Sequence, residues 1–107
     1  MCTPTSDCTA IPTEQILNDR VRVTEWRFPH KGARTGWHTH EYDYVVVPMF
    51  DGVLRIELPG DEVILAELKT GVPYFRELGV EHDVISDNDF DCAFIEVELL
   101  DAPKSHG

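Results

Sequence analysis

Basic side chains are scarce in this chain: nine Lys and Arg stand against twenty Asp and Glu, a net charge of −11 over 107 residues. A surface of that sign repels phosphate backbones and anionic lipid at long range, so nucleic acid and membranes are not expected partners. Long apolar runs are lacking too, and no stretch approaches the roughly 18 residues a membrane span requires. The first fourteen residues carry neither the basic start nor the apolar centre of an export signal, and the chain reads as soluble and cytoplasmic. Cysteine is limited to Cys2, Cys8 and Cys92, with no C-x2-C pair of the kind that marks structural zinc or redox sites. Cys92 opens a strand-like segment, where a small buried thiol is the expectation.

What is present is an ordinary globular composition, 42% apolar and 27% charged, in a chain sized for one domain. Residues 1–14 mix Thr, Pro, Ser and Asp without a period and read as a flexible N-terminal arm that could pair with another strand or subunit. Residues 15–101 form the single predicted domain, and 102–107 a tail in which His106 is exposed. Within the domain, short apolar and β-branched runs recur at Val21 to Phe28, Trp37 to His40, Asp43 to Met49, Val53 to Leu58, Val63 to Leu68, Pro73 to Arg76, His82 to Ser86 and Cys92 to Leu100. Turn formers separate them, among them Asp51-Gly52, Pro59-Gly60-Asp61 and Leu78-Gly79. Eight short strands at this spacing predict an all-β antiparallel barrel or sandwich. The single helical turn expected lies at Glu14 to Asp19.

Alternation assigns the faces. On the last strand Ala93, Ile95, Val97 and Leu99 share one side, and Glu96 and Glu98 the other, which reads as a solvated face. Asp43 to Met49 is apolar on both parities, as expected where one side lines the interior and the other meets a second sheet or a partner chain, and a homodimer is the expectation. The pocket walls are sought among Val45, Val47, Leu54, Ile56, Ile95 and Val97. Trp26, Trp37, Phe28, Phe75 and Phe94 are assigned to packing or an interface.

The chemistry rests on three histidines in two clusters, His38-Thr39-His40 and His82 inside Gly71-x7-Gly79-x2-His82. Side chains two apart on a strand point the same way, so His38 and His40 can converge on one ion. By itself an H-x-H is weak, since most such pairs are surface or core histidines.

The wider spacing resembles the cupin superfamily, whose motifs are G-x5-H-x-H-x3or4-E-x6-G and G-x5-P-x-G-x2-H-x3-N. Gly32-Ala-Arg-Thr-Gly-Trp-His38-Thr-His40 matches the opening of the first, and Gly71, Gly79 and His82 hold their places in the second. The resemblance covers residues 20 to 100 and implies a jelly-roll barrel of the RmlC-like, double-stranded β-helix type. It also implies a dimer and one divalent transition metal per chain (Fe, Ni, Mn or Zn) held by His38, His40 and His82. Departures are specific. The motif glutamate should stand at Tyr44 or Val45, and neither offers a carboxylate. A hairpin longer by two residues would put Asp43 in its place with the same facing, and Glu41 is the alternative. Glu77 and Ser86 replace the second motif's proline and asparagine without removing a ligand.

The resemblance implies a metal-binding barrel acting on a small carboxylic-acid ligand, by dioxygenase or by isomerase or lyase chemistry. Tyr44 and Glu41 are the candidate proton carriers, with Tyr74 behind them, although a strand tyrosine is more often packing. Arg76 and Arg34 are the candidate anchors for an anionic substrate in so acidic a protein. The alternative is a barrel that binds metal or a small ligand as a sensor, without turnover.

Overall fold

The computed structural model describes residues 9–100. Expectations for Cys2, Cys8, the tail and His106 lie outside the described residues. Nine strands follow in chain order: β1 (Ile11–Leu17), β2 (Val21–Phe28), β3 (His38–Thr39), β4 (Tyr44–Pro48), β5 (Gly52–Leu58), β6 (Glu62–Leu68), β7 (Tyr74–Arg76), β8 (Glu81–Ser86) and β9 (Cys92–Leu99). Eight fall where the sequence places them, to within two residues at each end. The ninth, β1, is a correction. Ile11–Leu17 pairs antiparallel with β2 through an irregularity between Glu14 and Ile16, so the arm boundary at 14 falls inside a strand and the helical turn at Glu14 to Asp19 does not form.

The strands make two antiparallel sheets, one ordered β1-β2-β9-β4-β7 and the other β3-β8-β5-β6, which face each other as an antiparallel jelly-roll barrel. One end is filled. Phe28 and Phe94 meet with ring centroids 5.6 Å apart, and Phe28, Leu54, Ala33 and Leu68 are buried. Burial of each large side chain contributes about 1.5–3 kcal/mol. Beneath them Asn88 ties the β8–β9 loop to β5, accepting from the Val53 amide at 2.9 Å and donating to the Val53 carbonyl at 2.8 Å. The opposite end is left for the histidines.

The faces of β9 are the reverse of the sequence reading. Glu96 and Glu98 are 8% and 9% exposed and point into the barrel with Phe94, whereas Ile95, Val97 and Leu99 face outward and are half-buried. Val45 and Val47 pair with Val97 and Ile95 and share that outer face, so four of the six expected pocket residues lie outside the barrel. An outward apolar stripe beside an inward carboxylate pair inverts the rule by which alternation was read.

Candidate metal centre

The loop before β3 and the turn before β8 are built as a unit. Gly36 and Gly79 have φ of 89° and 93°, a left-handed conformation that costs glycine little. The turn they allow is fastened by reciprocal backbone bonds, from the His40 amide to the Val80 carbonyl at 2.9 Å and from the Gly79 amide to the His40 carbonyl at 2.8 Å. Asp83, 3% exposed, adds a clamp by accepting from the Gly36 amide at 3.0 Å and pairing with Arg34 at 3.0 Å. His38 lies directly across from His82 in the β3–β8 ladder. The sequence motif thereby becomes a geometry: two histidines from β3 and the residue just past it, and a third from the adjacent strand.

The three rings converge. His40 Nε2 stands 3.1 Å from His38 Nε2 and 3.2 Å from His82 Nε2. Hydrogen bonds cannot account for both contacts, because one ring nitrogen carries either one hydrogen or one in-plane lone pair. Two nitrogens sharing one ion at about 2.1 Å would lie about 3.0 to 3.4 Å apart for angles from octahedral to tetrahedral, so the spacing fits residues that would hold a single cation. His38 donates from Nδ1 to the Gly36 carbonyl at 2.8 Å, which selects the tautomer whose Nε2 lone pair is free to coordinate. Burial, then the nearby charge of His38, brings His40 down to about 4. Burial, followed by neighbouring His38, His40 and Arg76, brings His82 down to about 3. Both therefore stay neutral at physiological pH, as metal ligation requires.

Neither acid expected beside the histidines reaches them. Asp43 accepts from the Leu78 amide at 2.9 Å and serves the loop, and Glu41 is exposed. The inward position in that segment belongs to Tyr44, which stacks on His40 with centroids 3.8 Å apart and planes 18° apart. Its hydroxyl is held protonated by burial first and then by Glu96 and Tyr74. Arg34 is engaged by Asp83 and by Glu57 at 3.1 Å and does not line the cavity, whereas Arg76 does, with its guanidinium 4.5 Å over the Tyr74 ring.

The cavity beneath the histidines has a volume of about 250 Å³. Its two walls differ. On the β8-β5-β6 side Val84, Ile56, Ile64 and Ala66 are aliphatic, and across from them stand Tyr44, Tyr74, Arg76, Glu96, Trp26 and Phe94. Trp26 and Phe94, assigned to packing on sequence, are part of the wall. The residue sequence reasoning missed is Glu96. Its carboxyl is raised to about 7, chiefly by burial and then by Glu98, while Trp26 donates a side-chain hydrogen bond to it. The signal that could have revealed it is parity with Phe94, whose bulk marks the inner face.

No family model matches the chain. It is 50% identical over 91 residues to the β-alanine degradation protein BauB of Pseudomonas aeruginosa, covering 84% of this chain and 93% of that protein. A crystal structure of a cupin domain from Bordetella pertussis Tohama I is 53% identical, with a TM-score of 0.81 over 85% of this chain and 93% of the other. An RmlC-like cupin with a double-stranded β-helix fold from Methanocaldococcus jannaschii, 13% identical, shares the fold at a TM-score of 0.69 over 92% and 86% of the two chains.

Proposed function

This chain belongs to the cupin superfamily, and from that premise we propose that it binds one divalent transition metal through His38, His40 and His82 and acts on a small carboxylic acid beside it. The observation that carries the reading is the convergence of three Nε2 atoms at 3.1 and 3.2 Å around His40. When bound, the ion supplies Lewis-acid polarisation of a substrate oxygen, the common requirement of dioxygenase and of isomerase or lyase chemistry.

The chain's own residues supply the rest. His38, locked by the Gly36 carbonyl, and His40, stacked on Tyr44, hold their lone pairs in place with little rotational freedom. Arg76 forms no ion pair among the described residues and lines the cavity, so it is the group free to anchor a substrate carboxylate. Tyr44 keeps its proton and can donate a hydrogen bond to an oxygen in the cavity. A cavity of about 250 Å³ suits a ligand of few atoms, and the name of the Pseudomonas relative supports a short acid of the kind met in β-alanine breakdown. Iron, nickel, manganese and zinc all accept such a donor set.

A homodimer is part of the same reading. A second reading, a binding or sensing barrel without turnover, is favoured by Tyr44 standing where the motif carries its glutamate. Elemental analysis of untagged protein tests the site. Close to one metal per chain is expected, falling in each of His38→Ala, His40→Ala and His82→Ala; metal content untouched by all three would overturn it. With metal present, loss of turnover in His82→Ala supports the enzyme, and loss of ligand-dependent thermal stabilisation without any turnover supports the sensor.

A further inference from the structure

Glu96 and Arg76 line one cavity with opposite charges and do not pair with each other. The inner wall explains why. Cross-strand partners set Arg76, Tyr44, Glu98 and Arg22 in one row, and Tyr74, Val46, Glu96 and Thr24 in the next. Glu98 is satisfied by Arg22 at 2.6 Å. Arg76 is drawn over the Tyr74 ring and donates to its neighbour's carbonyl, on Phe75, at 3.1 Å. Beside Glu96 the Trp26 side chain is the one donor that bears on its carboxyl among the described residues, although a carboxylate has about four acceptor positions. No fully buried side-chain oxygen lacks a partner among the described residues, so the open acceptor positions of Glu96 are those that face the cavity.

Glu96 is not placed as a fourth ligand. It groups with His40 and Glu98 within 4.8 Å, whereas His38 and His82 lie outside that group. Ligands on one ion lie at most about 4.2 Å apart, twice a bond of about 2.1 Å. The carboxylate therefore faces the space next to the ion, where a substrate atom would sit.

We infer that Glu96 is the specificity-determining residue of the cavity: it accepts a hydrogen bond from a hydroxyl or ammonium group of a ligand whose carboxylate is held by Arg76. The ligand class is then a short carboxylic acid bearing a donor a few atoms from its carboxylate. A dicarboxylate is disfavoured by repulsion from Glu96 and Glu98, and a plain aliphatic acid leaves Glu96 unmet. The aliphatic wall of Val84, Ile56 and Ile64 accommodates the short carbon chain between the two polar ends. The inference rests on the metal-site reading above and adds the ligand.

The test is calorimetry on nickel-loaded protein with four three-carbon probes: 3-hydroxypropanoate, β-alanine, propanoate and malonate. Wild type is expected to bind 3-hydroxypropanoate or β-alanine at least about tenfold tighter than propanoate and malonate. Glu96→Leu is expected to lose that preference while keeping one metal per chain, and Arg76→Gln to weaken every probe. Glu96→Gln separates the donors, since it keeps an acceptor oxygen for a hydroxyl but loses the charge that favours an ammonium, and it serves if the leucine variant does not fold. No donor preference in wild type, or the same preference in Glu96→Leu, would overturn the inference with the metal site still standing. Loss of nickel in Glu96→Leu would also overturn it, because Glu96 would then belong to the ion. Absence of nickel from wild type itself would be a failure of the metal-site reading instead.

Discussion

A carboxyl group inside a half-apolar cavity resists ionisation, and Glu96 sits in such a place, raised from an ordinary 4.5 to about 7. The folded state then holds a proton that the unfolded chain has already released. Stability from this group is complete below about pH 4.5 and is lost as pH rises through 7. His40 and His82 act in the opposite sense, since folding holds them at about 4 and about 3 against 6.5 in the unfolded chain. Their contribution is present above pH 6.5 and falls away as the solution is acidified. Comparing metal-free wild type with Glu96→Gln cancels the histidines and leaves the carboxyl. Denaturant unfolding should show the variant gaining on the order of 2 kcal/mol relative to wild type between pH 4.5 and pH 8. A difference that stays flat over that range would mean Glu96 ionises freely in the fold.

At the level of strands, the corner where β5 begins shows how much one contact constrains. A Cβ built on Gly52 would lie 2.4 Å from Asn88 Oδ1, the atom that accepts from the Val53 amide. Gly52→Ala must therefore push Asn88 off its bond, and a loss of about 2 kcal/mol is expected in urea unfolding. Asn88→Ala should cost a similar amount by orphaning both Val53 groups, yet the double variant should cost less than the sum, because the clash is gone once Asn88 is. Additive losses would show that the two residues do not act through this contact. Strands of this kind are where the sequence was most legible: β-branched runs between turn formers placed eight of nine, and the Gly32-to-His40 and Gly71-to-His82 spacings assembled three converging rings. Three things were not legible. β1 has no apolar alternation of its own, being exposed along its whole length, and owes its existence to pairing with β2. β9 was turned inside out, because Ile95, Val97 and Leu99 are apolar for the sake of an outer surface while Glu96 and Glu98 serve the cavity. Asp43 was expected to replace the motif glutamate through a shift of two residues; strand parity instead put Tyr44 inward and left Asp43 to bond the Leu78 amide.

The outer surface of the five-stranded sheet is where the molecule as a whole makes its demand. One cross-strand row runs Ile16, Val23, Val97, Val45, Phe75, apolar from edge to edge. Ile16 and Phe75 at its ends are 50% and 51% exposed, and the three valines between them are half-buried. A continuous apolar stripe on a protein of net charge −11 is a part of the surface on which two copies can approach without mutual repulsion. A two-fold axis through the row would lay it against itself, each copy's valines covering the other's, as an isologous interface requires. Sedimentation equilibrium should accordingly give a mass near twice the 12.2 kDa of one chain. Val97→Lys, which sets a charge at the centre of the row and faces away from the cavity, should shift the protein to monomer while nickel still binds at His38, His40 and His82. A wild-type protein that sediments as a monomer, or a Val97→Lys variant that remains a dimer, would show that this face is not where the copies meet.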